Sequence, residues 1–558
     1  MPFSVAQSSS VFSNLQTRYP CTIGAFSEMP DGERTLSAVL ALEQKWIALN
    51  SGDEKPEPFH YVATPADLPA CSPENYYDVI IAGGGLGLVA GAALARLGLR
   101  VLVFDRDRVG SAHREWNISE QELASLVRWQ IFTRAELSKT IATRYKRGLI
   151  AFHADNTGVP SCPLTTHGVL DTALDAQSVL DLARKRFLAL GGTILEHRAF
   201  RNLYTSLSGQ VASVFELEGG DGPEFYHTRL AIDTMGSVSP IAMGLNDGLP
   251  FDGVCPTAGT VMEGLEDDSQ TGDVLVSVAD VQNSRQLIWE GFPGRSNETT
   301  VYLFYYDQTG RTQSRSQGLL DLFEQYFTFL PTYRPMPPGA KHLKPVFGYI
   351  PARHGRTGRT AARGLICLGD SAAGQSPLTF CGFGSFVRHI GRVSYLLNYA
   401  LKHDLLEESD LNLISPHQAN LRVAWVFSRF MQPYKNSDPA AVNRLMNIFC
   451  KALDRIGPKT TVRFLQDRYT LAEYLRIMLT TARHYPGVFA LAVRVLGPSG
   501  VVAWMSDLAY FASNELGRAS YLVIGPTLWQ SMEKLTSRFS PRIALRLRAA
   551  RTAWQAIR

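Results

Sequence analysis

The feature that most constrains the fold is a glycine-rich segment, YDVIIAGGGLGLVAGAALARLGLRVLVFDRD (77–107). A β-branched apolar run stops at three consecutive glycines, an alanine-rich stretch of helical length follows, and a second apolar run ends in Asp105. This order predicts a β-strand, a tight turn, a helix and a second, parallel strand. The chain is therefore expected to build a Rossmann-like α/β domain around this unit.

The same segment predicts a dinucleotide-binding site. Glycines between a strand and a helix let backbone amides approach a pyrophosphate, whose charge the helix N-terminus favours. Asp105 stands 22 residues after Gly83, where a carboxylate binds a ribose hydroxyl, and Arg106 follows it. The fingerprint is irregular, because counting from Gly83 puts Leu88 in the third glycine position, and a tight turn without a ligand is the alternative. The glycines expected at the pyrophosphate are Gly83, Gly84, Gly85 and Gly87.

Beyond this unit, the pattern predicts a second layer of a different kind. Three apolar runs follow one another at 272–280, 285–293 and 299–307, which predicts an antiparallel meander for a substrate domain. From about residue 385 to the end the pattern is helical. The predicted organisation is an N-terminal helix and linker, a split cofactor domain, a mixed region with the substrate sheet, and a helical region. Their ranges are 1–75, 76–175 with 345–400, 176–344, and 401–558.

The composition excludes several classes of protein. With 45% hydrophobic and 19% charged residues among 558, the chain is globular in composition and wholesale disorder is excluded. A net charge of +4 is too small to indicate nucleic-acid binding. Seven scattered cysteines without a C-x-x-C pair indicate a reduced compartment and no metal site.

A second motif indicates which dinucleotide is bound. The segment LICLGDSAAGQSPLTFCGFGSFVRHIGR (365–392) resembles the second FAD motif of the aromatic-hydroxylase and lycopene-cyclase flavoproteins. The resemblance implies that Asp370 contacts the ribityl chain and that the helix beginning near Gly382 faces the pyrophosphate. LAIDTMGSVSP (230–240) resembles the strand that precedes this motif in the same fold. The residues implied at the cofactor are Gly369, Asp370, Pro377, Gly382, Phe383 and Gly384.

Three shorter runs narrow the resemblance to one family. REWNIS (114–119), QSPLTFCGFG (375–384) and LIWEGFP (287–293) look like the CruA/CruP family of lycopene cyclases and their paralogues. The resemblance covers roughly residue 35 to beyond residue 500. It implies that Glu115 and Trp116 lie beside the flavin, that reduced FAD is the active form, and that NADPH is its reductant. It also implies lycopene or a related carotenoid as substrate, and leaves bound chlorophyll or carotenoid open.

A carboxylate within an apolar strand is the candidate catalytic group. In RQLIWEGFP (285–293), strand alternation places Glu290 on one face with Phe292, while Trp289 points to the other face. A lycopene cyclase must protonate a terminal double bond of a hydrocarbon, which requires an acid in an apolar, aromatic-lined slot. Glu290 is the predicted acid, and Trp289 or Phe292 is predicted to line the substrate and shelter a carbocation. The alternative is a solvent-facing glutamate, or one paired with Arg285, with both aromatic rings in the core.

The C-terminal region is expected at a membrane surface. Residues 483–529 are apolar and aromatic and are broken by two Gly-Pro pairs, and no window of about 18 uncharged apolar residues is evident. This favours interfacial helices over a spanning one. Residues 537–558 hold six arginines among apolar residues, which predicts a basic amphipathic helix for anionic lipid, or else an ordinary helical cap. Residues 1–30 are predicted to be a loose tail, either a disordered start or a short transit peptide.

The function predicted first is a peripheral-membrane FAD enzyme that cyclises the ends of lycopene to β-rings. The resemblance implies the cytoplasmic or stromal side of a thylakoid or plasma membrane, in a photosynthetic prokaryote or a plastid. Two alternatives share the fold. One is an NAD(P)H-dependent FAD oxidoreductase acting on isoprenoids, which would consume NADPH stoichiometrically. The other is a non-cyclising paralogue or a pigment-binding protein.

Overall fold

The secondary structure is given by a computed structural model. It describes residues 15–112, 116–220, 222–265, 268–310, 318–355, 358–374, 376, 378, 382–414, 419–434 and 436–557. The elements up to residue 233 are α1 (Pro20–Glu28), α2 (Gly32–Ser51), β1 (Phe59–Val62), β2 (Tyr76–Ala82), α3 (Leu86–Ala95), β3 (Val101–Phe104), β4 (Trp116–Ile118), α4 (Glu120–Arg128), α5 (Arg134–Ser138), β5 (Ile141–Arg144), β6 (Arg147–Ala151), β7 (Leu164–Thr166), β8 (Thr172–Leu174), α6 (Ala176–Ala189), β9 (Thr193–Leu195), β10 (Ala199–Ser206), β11 (Ser213–Gly219) and β12 (Gly222–Asp233).

The second half of the chain adds a sheet and then helices. Its elements are α7 (Pro240–Asn246), β13 (Gly253–Glu263), β14 (Thr271–Val276), β15 (Ile288–Pro293), β16 (Glu298–Phe304), β17 (Asp307–Gln308), α8 (Leu319–Tyr333), β18 (Lys341–Ala352), β19 (Ala361–Ala362), β20 (Leu365–Cys367), α9 (Gly382–Lys402), α10 (Glu408–Ile414), α11 (Ala419–Phe430), α12 (Ala441–Ile456), α13 (Pro458–Leu465), α14 (Leu471–His484), α15 (Val488–Ile524), α16 (Pro526–Phe539) and α17 (Pro541–Ala556).

The predicted strand–helix–strand unit forms the centre of the first sheet. β2 and β3 are parallel neighbours joined by α3, and β12 and β9 extend the parallel set on either side, with β20 beside the end of β12. β10, β11 and the first half of β12 form an antiparallel meander at one side of this set. The strands of the parallel core read as continuous apolar runs because both of their faces are covered.

The second sheet is the predicted antiparallel substrate layer. β14, β15 and β16 are consecutive antiparallel neighbours, which confirms the meander that the sequence predicted. β13 continues the sheet between β16 and β18, so Glu290 on β15 is level with Tyr302 on β16, Gly259 on β13 and Val346 on β18. β4, β8 and β5 form a small third sheet.

The sheets divide the chain differently from the predicted domain ranges. β1, placed in the linker by the prediction, pairs with β10 and joins the first sheet. β6 and β7 lie in the range predicted for the cofactor domain but belong to the second sheet, as does β18, which crosses the predicted boundary at residue 345. These segments join by long-range strand pairing, which no local pattern reports.

The prediction of a loose N-terminal tail is wrong for residues 20–28. This segment is helix α1, which buries Phe26 edge-on against Phe323 of α8, with 5.1 Å between ring centroids. The Thr22 hydroxyl donates a hydrogen bond of 2.8 Å to the Glu324 carboxylate. α1, α2 and α8 together cover the outer face of the second sheet, where Trp46 and Trp289 are buried.

The C-terminal helices cover part of the inner face of the same sheet and then extend beyond it. α15 is the one described helix that is long and apolar enough to cross a membrane by length and composition alone, and 22% of its most apolar window is buried in the protein. It is broken at Gly497, whose φ of 67° is left-handed, and Pro498 follows.

The predicted basic amphipathic helix has a different role. α17 packs on α9 and α10, and its Ala544 and Leu545 are fully buried in the core of the first sheet. Two of its arginines form ion pairs with acidic side chains, Arg542 with Asp410 and Arg551 with Glu533, both at 2.7 Å. Most of its apolar side chains are thus packed against the protein body, although Ile543 is exposed. This packing favours the alternative of an ordinary helical cap.

Candidate functional site

A cavity of about 860 Å³ lies between the first sheet and the inner face of the second. The glycine turn after β2, the end of β3, the turn after β20 and the start of α9 form one side. Strands β13, β15, β16 and β18 form the other side. One space therefore joins both predicted cofactor motifs to the predicted catalytic strand, although these segments are far apart in sequence.

The glycine turn is shaped for close approach of a ligand. Gly83 has a φ of 103°, and a Cβ there would lie 2.7 Å from the Thr234 carbonyl oxygen. Gly83, Gly84 and Gly85 all line the cavity. A Cβ added at Gly85 would meet no atom within 4 Å, so a side chain there would enter open space. The turn thus exposes backbone at the start of α3, as a pyrophosphate site requires.

Gly87 has a packing role. It does not line the cavity, and a Cβ on it would lie 2.5 Å from the Thr234 hydroxyl and 2.9 Å from the side chain of Ile81. The missing side chain therefore lets α3 pack closely on β2 and on the residue after β12. This is a known use of a glycine in such turns, and it positions the helix N-terminus without touching a ligand.

Asp105 lies at the cavity wall, at the end of β3, as predicted. Its carboxylate accepts hydrogen bonds from the backbone N–H groups of Gly84, at 2.6 Å, and of Asp107, at 2.9 Å. Arg106 lines the outer part of the cavity and forms an exposed ion pair with Asp107 at 3.3 Å. The carboxylate is therefore fixed beside the turn, in the position from which a ribose hydroxyl would be bound.

The segment after β12 packs against the glycine turn, and hydrogen bonds to Asp233 fix its shape. The Ser239 hydroxyl donates a 2.6 Å hydrogen bond to the Asp233 carboxylate, and the Met235 backbone N–H donates another at 2.9 Å. Complete burial raises the pKa of Asp233 to about 6. Met235 and Gly236 line the cavity, so this carboxyl group holds the shape of the wall without facing the ligand space.

The second cofactor motif reaches the same cavity. Gly369, Asp370, Gly382 and Phe383 line it, beside Trp116 from β4. The rings of Trp116 and Phe383 stack with centroids 4.4 Å apart and planes 30° apart, a pairing that contributes about 0.5–1.5 kcal/mol beyond burial. The predictions for Glu115 and Pro377 concern residues that lie outside the described part of the chain.

Gly384 faces away from the cavity, so the structure does not support its predicted contact with the cofactor. A Cβ on Gly384 would lie 2.6 Å from the Glu122 carboxylate. Glu122 pairs with Arg388 of α9 at 2.6 Å, and both side chains are only 4% exposed. The glycine therefore makes room for a buried ion pair that joins α4 to α9. Removing one partner of such a pair costs about 3–5 kcal/mol.

Asp467, between α13 and α14, completes this support. It is 2% exposed, and burial raises its pKa to about 7 despite the nearby Arg388 guanidinium. Its backbone carbonyl accepts hydrogen bonds from Arg388, at 3.3 Å, and from Asn420, at 2.6 Å. The C-terminal helices thus help to position α9, whose first turn forms part of the cavity wall.

Glu290 projects from β15 into the cavity. It is half-buried and shares its face of the sheet with Phe292, Tyr302 and Phe304, all of which line the same space. The guanidinium of Arg285, the predicted alternative partner, lies over the ring of Tyr305 at 4.7 Å from its centroid. The wall therefore presents one carboxyl group among aromatic side chains, opposite the two cofactor motifs.

The prediction that Trp289 lines the substrate space is wrong. Its ring is 1% exposed on the outer face of β15 and stacks on Tyr333, with centroids 4.7 Å apart and planes 9° apart. Strand alternation is the cause, because Trp289 and Glu290 are adjacent and must point to opposite faces. Phe292, two residues from Glu290, lines the cavity, and its predicted contact with the substrate stays a prediction.

Several cavity residues were not identified from the sequence. The alternation of β16 could have indicated Tyr302 and Phe304, since both occupy the face level with Glu290 and Ile288. No sequence signal marked the others, which reach the cavity from distant elements. Among them are Lys45 of α2, Asn117 of β4, Arg198 just before β10, Phe200 of β10, Thr257 of β13 and Ile350 of β18.

No protein-family model and no curated protein sequence matches the chain. Solved structures do match it in fold. A geranylgeranyl bacteriochlorophyll reductase-like protein from Thermoplasma acidophilum is similar over 75% of this chain and 99% of its own, with a TM-score of 0.56 and 14% identity. A mutant of the halogenase PltM, solved in complex with FAD, is similar over 84% of this chain and 99% of its own, with a TM-score of 0.51 and 14% identity. These likenesses confirm the predicted fold class.

Proposed function

We propose that the protein is a FAD-dependent enzyme that cyclises the ends of lycopene, or of a closely related linear polyene, to β-rings. The observation that carries the proposal is the position of Glu290, in the same cavity as both cofactor motifs and on an aromatic wall. The descriptions of the similar structures support the cofactor and the enzyme class. One is a halogenase in complex with FAD, and another is described as geranylgeranyl bacteriochlorophyll reductase-like.

The residues of the cavity fit FAD. The open space at Gly85 and the start of α3 suit the pyrophosphate, Asp105 suits a ribose, and Asp370 suits the ribityl chain. The volume of about 860 Å³ lies within the 300–1,000 Å³ that is usual for ligand sites. The family resemblance implies NADPH as the reductant of the flavin. Because the sequence shows a single dinucleotide fingerprint, we expect no separate NADPH-binding domain.

The aromatic wall fits a hydrocarbon substrate. A polyene offers no hydrogen-bonding group, so its recognition depends on apolar contact, which Phe292, Phe304 and the ring of Tyr302 provide. The Glu290 carboxyl group would donate a proton to the terminal double bond. Ring closure would move the positive charge onto a ring carbon. A neighbouring carbon would then lose a proton to water, and Glu290 would take a proton back from solvent, which completes an isomerisation without net redox change.

The carbocation that exists between protonation and the loss of the second proton needs a stabilising environment. The faces of Phe292, Tyr302 and Phe304 carry the negative part of the ring quadrupole and would stabilise it at close range. Reduced FAD, when bound, would supply negative charge beside the cation. The stacked rings of Trp116 and Phe383 would close the opposite side of the cavity against water.

The proposal is tested by expressing the full chain in bacteria that accumulate lycopene and separating their carotenoids. We expect γ-carotene or β-carotene to form at the expense of lycopene. Persistence of lycopene, although the protein is soluble and flavin-loaded, would overturn the assignment in favour of a non-cyclising or pigment-binding protein. A more saturated product, formed with one NADPH per reduced bond, would instead support an isoprenoid oxidoreductase.

A further inference from the structure

Exposed large apolar side chains are concentrated on one surface of the molecule. Within the described residues, those outside the C-terminal helices are few and scattered, namely Ile47, Tyr61, Tyr76, Leu188, Leu190 and Leu207. All the others lie between Leu475 of α14 and Ile543 at the start of α17. The most exposed are Val502 at 69%, Leu516 at 71%, Val523 at 88% and Phe539 at 82%. A soluble surface rarely carries so many contiguous apolar groups unless it meets a partner.

The opposite face of α15 is fixed to the protein body along the length of the helix. The Arg429 guanidinium donates a 2.8 Å hydrogen bond to the carbonyl of Val495, near the first third of the helix. The indole N–H of Trp425 donates to Asp507 at 3.1 Å, and that of Trp554 donates to Asn514 at 3.1 Å. Because polar contacts hold α15 at three levels, the helix lies along the body instead of crossing a membrane alone.

The acidic groups of this region are turned inward. Glu473 pairs with Arg463 at 2.9 Å, Glu515 with Arg518 at 2.8 Å, and Glu533 with Arg551 at 2.7 Å. Asp507 accepts the hydrogen bond from Trp425. None of these four carboxylates is exposed, and they are the only acidic residues from position 471 onward. The outer surface of α14–α16 therefore carries no exposed acidic side chain.

The exposed charges on and around the same surface are basic. They are Arg476, Arg483, Arg494, Lys534 and Arg538. An apolar helix face with lysine and arginine around it is complementary to the interface of a bilayer that contains anionic lipid. A second protein copy would meet this same positive surface and be repelled by it.

We propose that the outer face of α14, α15 and α16 docks on an anionic lipid bilayer and inserts its apolar side chains into one leaflet. The occupant is a lipid surface, and α17, which is packed into the body, takes no part. The proposal that this face docks on lipid is based on the exposed surface alone. Its purpose rests on the proposed function, because a polyene dissolved in lipid must reach the enzyme from a membrane.

The test is flotation of the purified full chain with lipid vesicles. We expect it to float with phosphatidylcholine vesicles that contain about one third phosphatidylglycerol, and to float less with phosphatidylcholine alone or in high salt. The triple variant Val502→Ser, Met505→Ser and Leu516→Ser should lower the partition coefficient at least about tenfold. The matched control Leu188→Ser, Leu190→Ser and Leu207→Ser removes exposed leucines from the first-sheet region and should float as the unmodified protein does.

Any of three results would overturn the docking proposal. The first is an unmodified protein that does not float with the vesicles. The second is a docking-face variant, the triple serine variant of α15, that floats equally well. The third is a concentration-dependent dimer, measured by sedimentation equilibrium, that the docking-face variant abolishes in the absence of vesicle binding. Thermal unfolding of both variants should match that of the unmodified chain, because every substituted side chain is exposed.

Failure of the docking proposal is distinguishable from failure of the proposed function. Glu290→Gln should still float with anionic vesicles, since Glu290 lies inside the cavity. The docking-face variant should retain ring formation on lycopene dispersed in detergent and lose it on lycopene held in vesicles. Vesicle binding without any cyclase activity would refute the proposed function and leave the docking surface supported.

Discussion

Replacement of Glu290 by glutamine is expected to lower ring formation by a factor of about 10²–10⁴, the range contributed by a general acid. Glutamine keeps the size of the side chain and its place among Phe292, Tyr302 and Phe304. It removes the acidic proton that the reaction needs. The measurement is the rate of γ-carotene and β-carotene formation from lycopene by purified, reduced holoenzyme.

The matched control for this variant is Glu263→Gln. Glu263 ends β13 of the same sheet, is exposed and does not line the cavity. We expect this control to retain full activity, and both variants to keep the flavin absorbance and melting temperature of the unmodified protein. If Glu290→Gln formed rings at more than about half the normal rate, Glu290 would be a structural residue and the acid would have to be sought elsewhere.

Substitution of Gly85 by valine is expected to abolish flavin binding while leaving the protein folded. A Cβ at Gly85 meets no atom within 4 Å, so the first carbon of the new side chain has room. It would instead occupy the space beside the start of α3 where a pyrophosphate needs backbone contact. Flavin content, measured from the absorbance of the purified protein, should fall by at least about tenfold, because a blocked phosphate site loses several hydrogen bonds at once.

The companion variant is Gly220→Val, in the exposed turn after β11, where an added Cβ also meets nothing within 4 Å. It should bind flavin normally. A Gly85→Val protein that purified with a full complement of flavin would show that the turn is only a tight connection. That outcome is the alternative that the irregular glycine pattern left open.

Local sequence patterns were sufficient for the parts of the site that single segments determine. The glycine turn and Asp105 belong to one strand–helix–strand unit, so spacing alone brings the carboxylate to within 2.6 Å of the turn. The alternation of β15 correctly separated Glu290 from Trp289, and applying it strictly would have excluded Trp289 from the substrate wall.

The rest depends on contacts between segments far apart in sequence. Gly384 looked like a cofactor glycine because it belongs to a G-F-G run, yet its missing side chain accommodates Glu122, 262 positions away. Residues such as Lys45 and Ile350 reach the cavity from elements whose local patterns indicate only a helix and a strand. A pattern within one segment reports which face is apolar, but not what covers that face.

The C-terminal helices also show that a local pattern does not reveal what covers an apolar face. The arginine-rich sequence of α17 matches a lipid-binding helix, but Ala544 and Leu545 are buried against the first sheet. The apolar surface of α15 was visible in its composition. Its orientation became clear only from the side chains that hold its inner face, such as Trp425 on Asp507.

We propose above that a flavin-dependent site performs an acid-initiated reaction without net redox change. The most direct measurement uses anaerobic holoenzyme whose flavin has been reduced by light, without NADPH, and supplies lycopene in deuterated buffer. We expect many rings per flavin, each making the product about one mass unit heavier, because one deuteron enters from solvent and one proton leaves. At most one product per flavin, or a product carrying two added hydrogens, would contradict the claim.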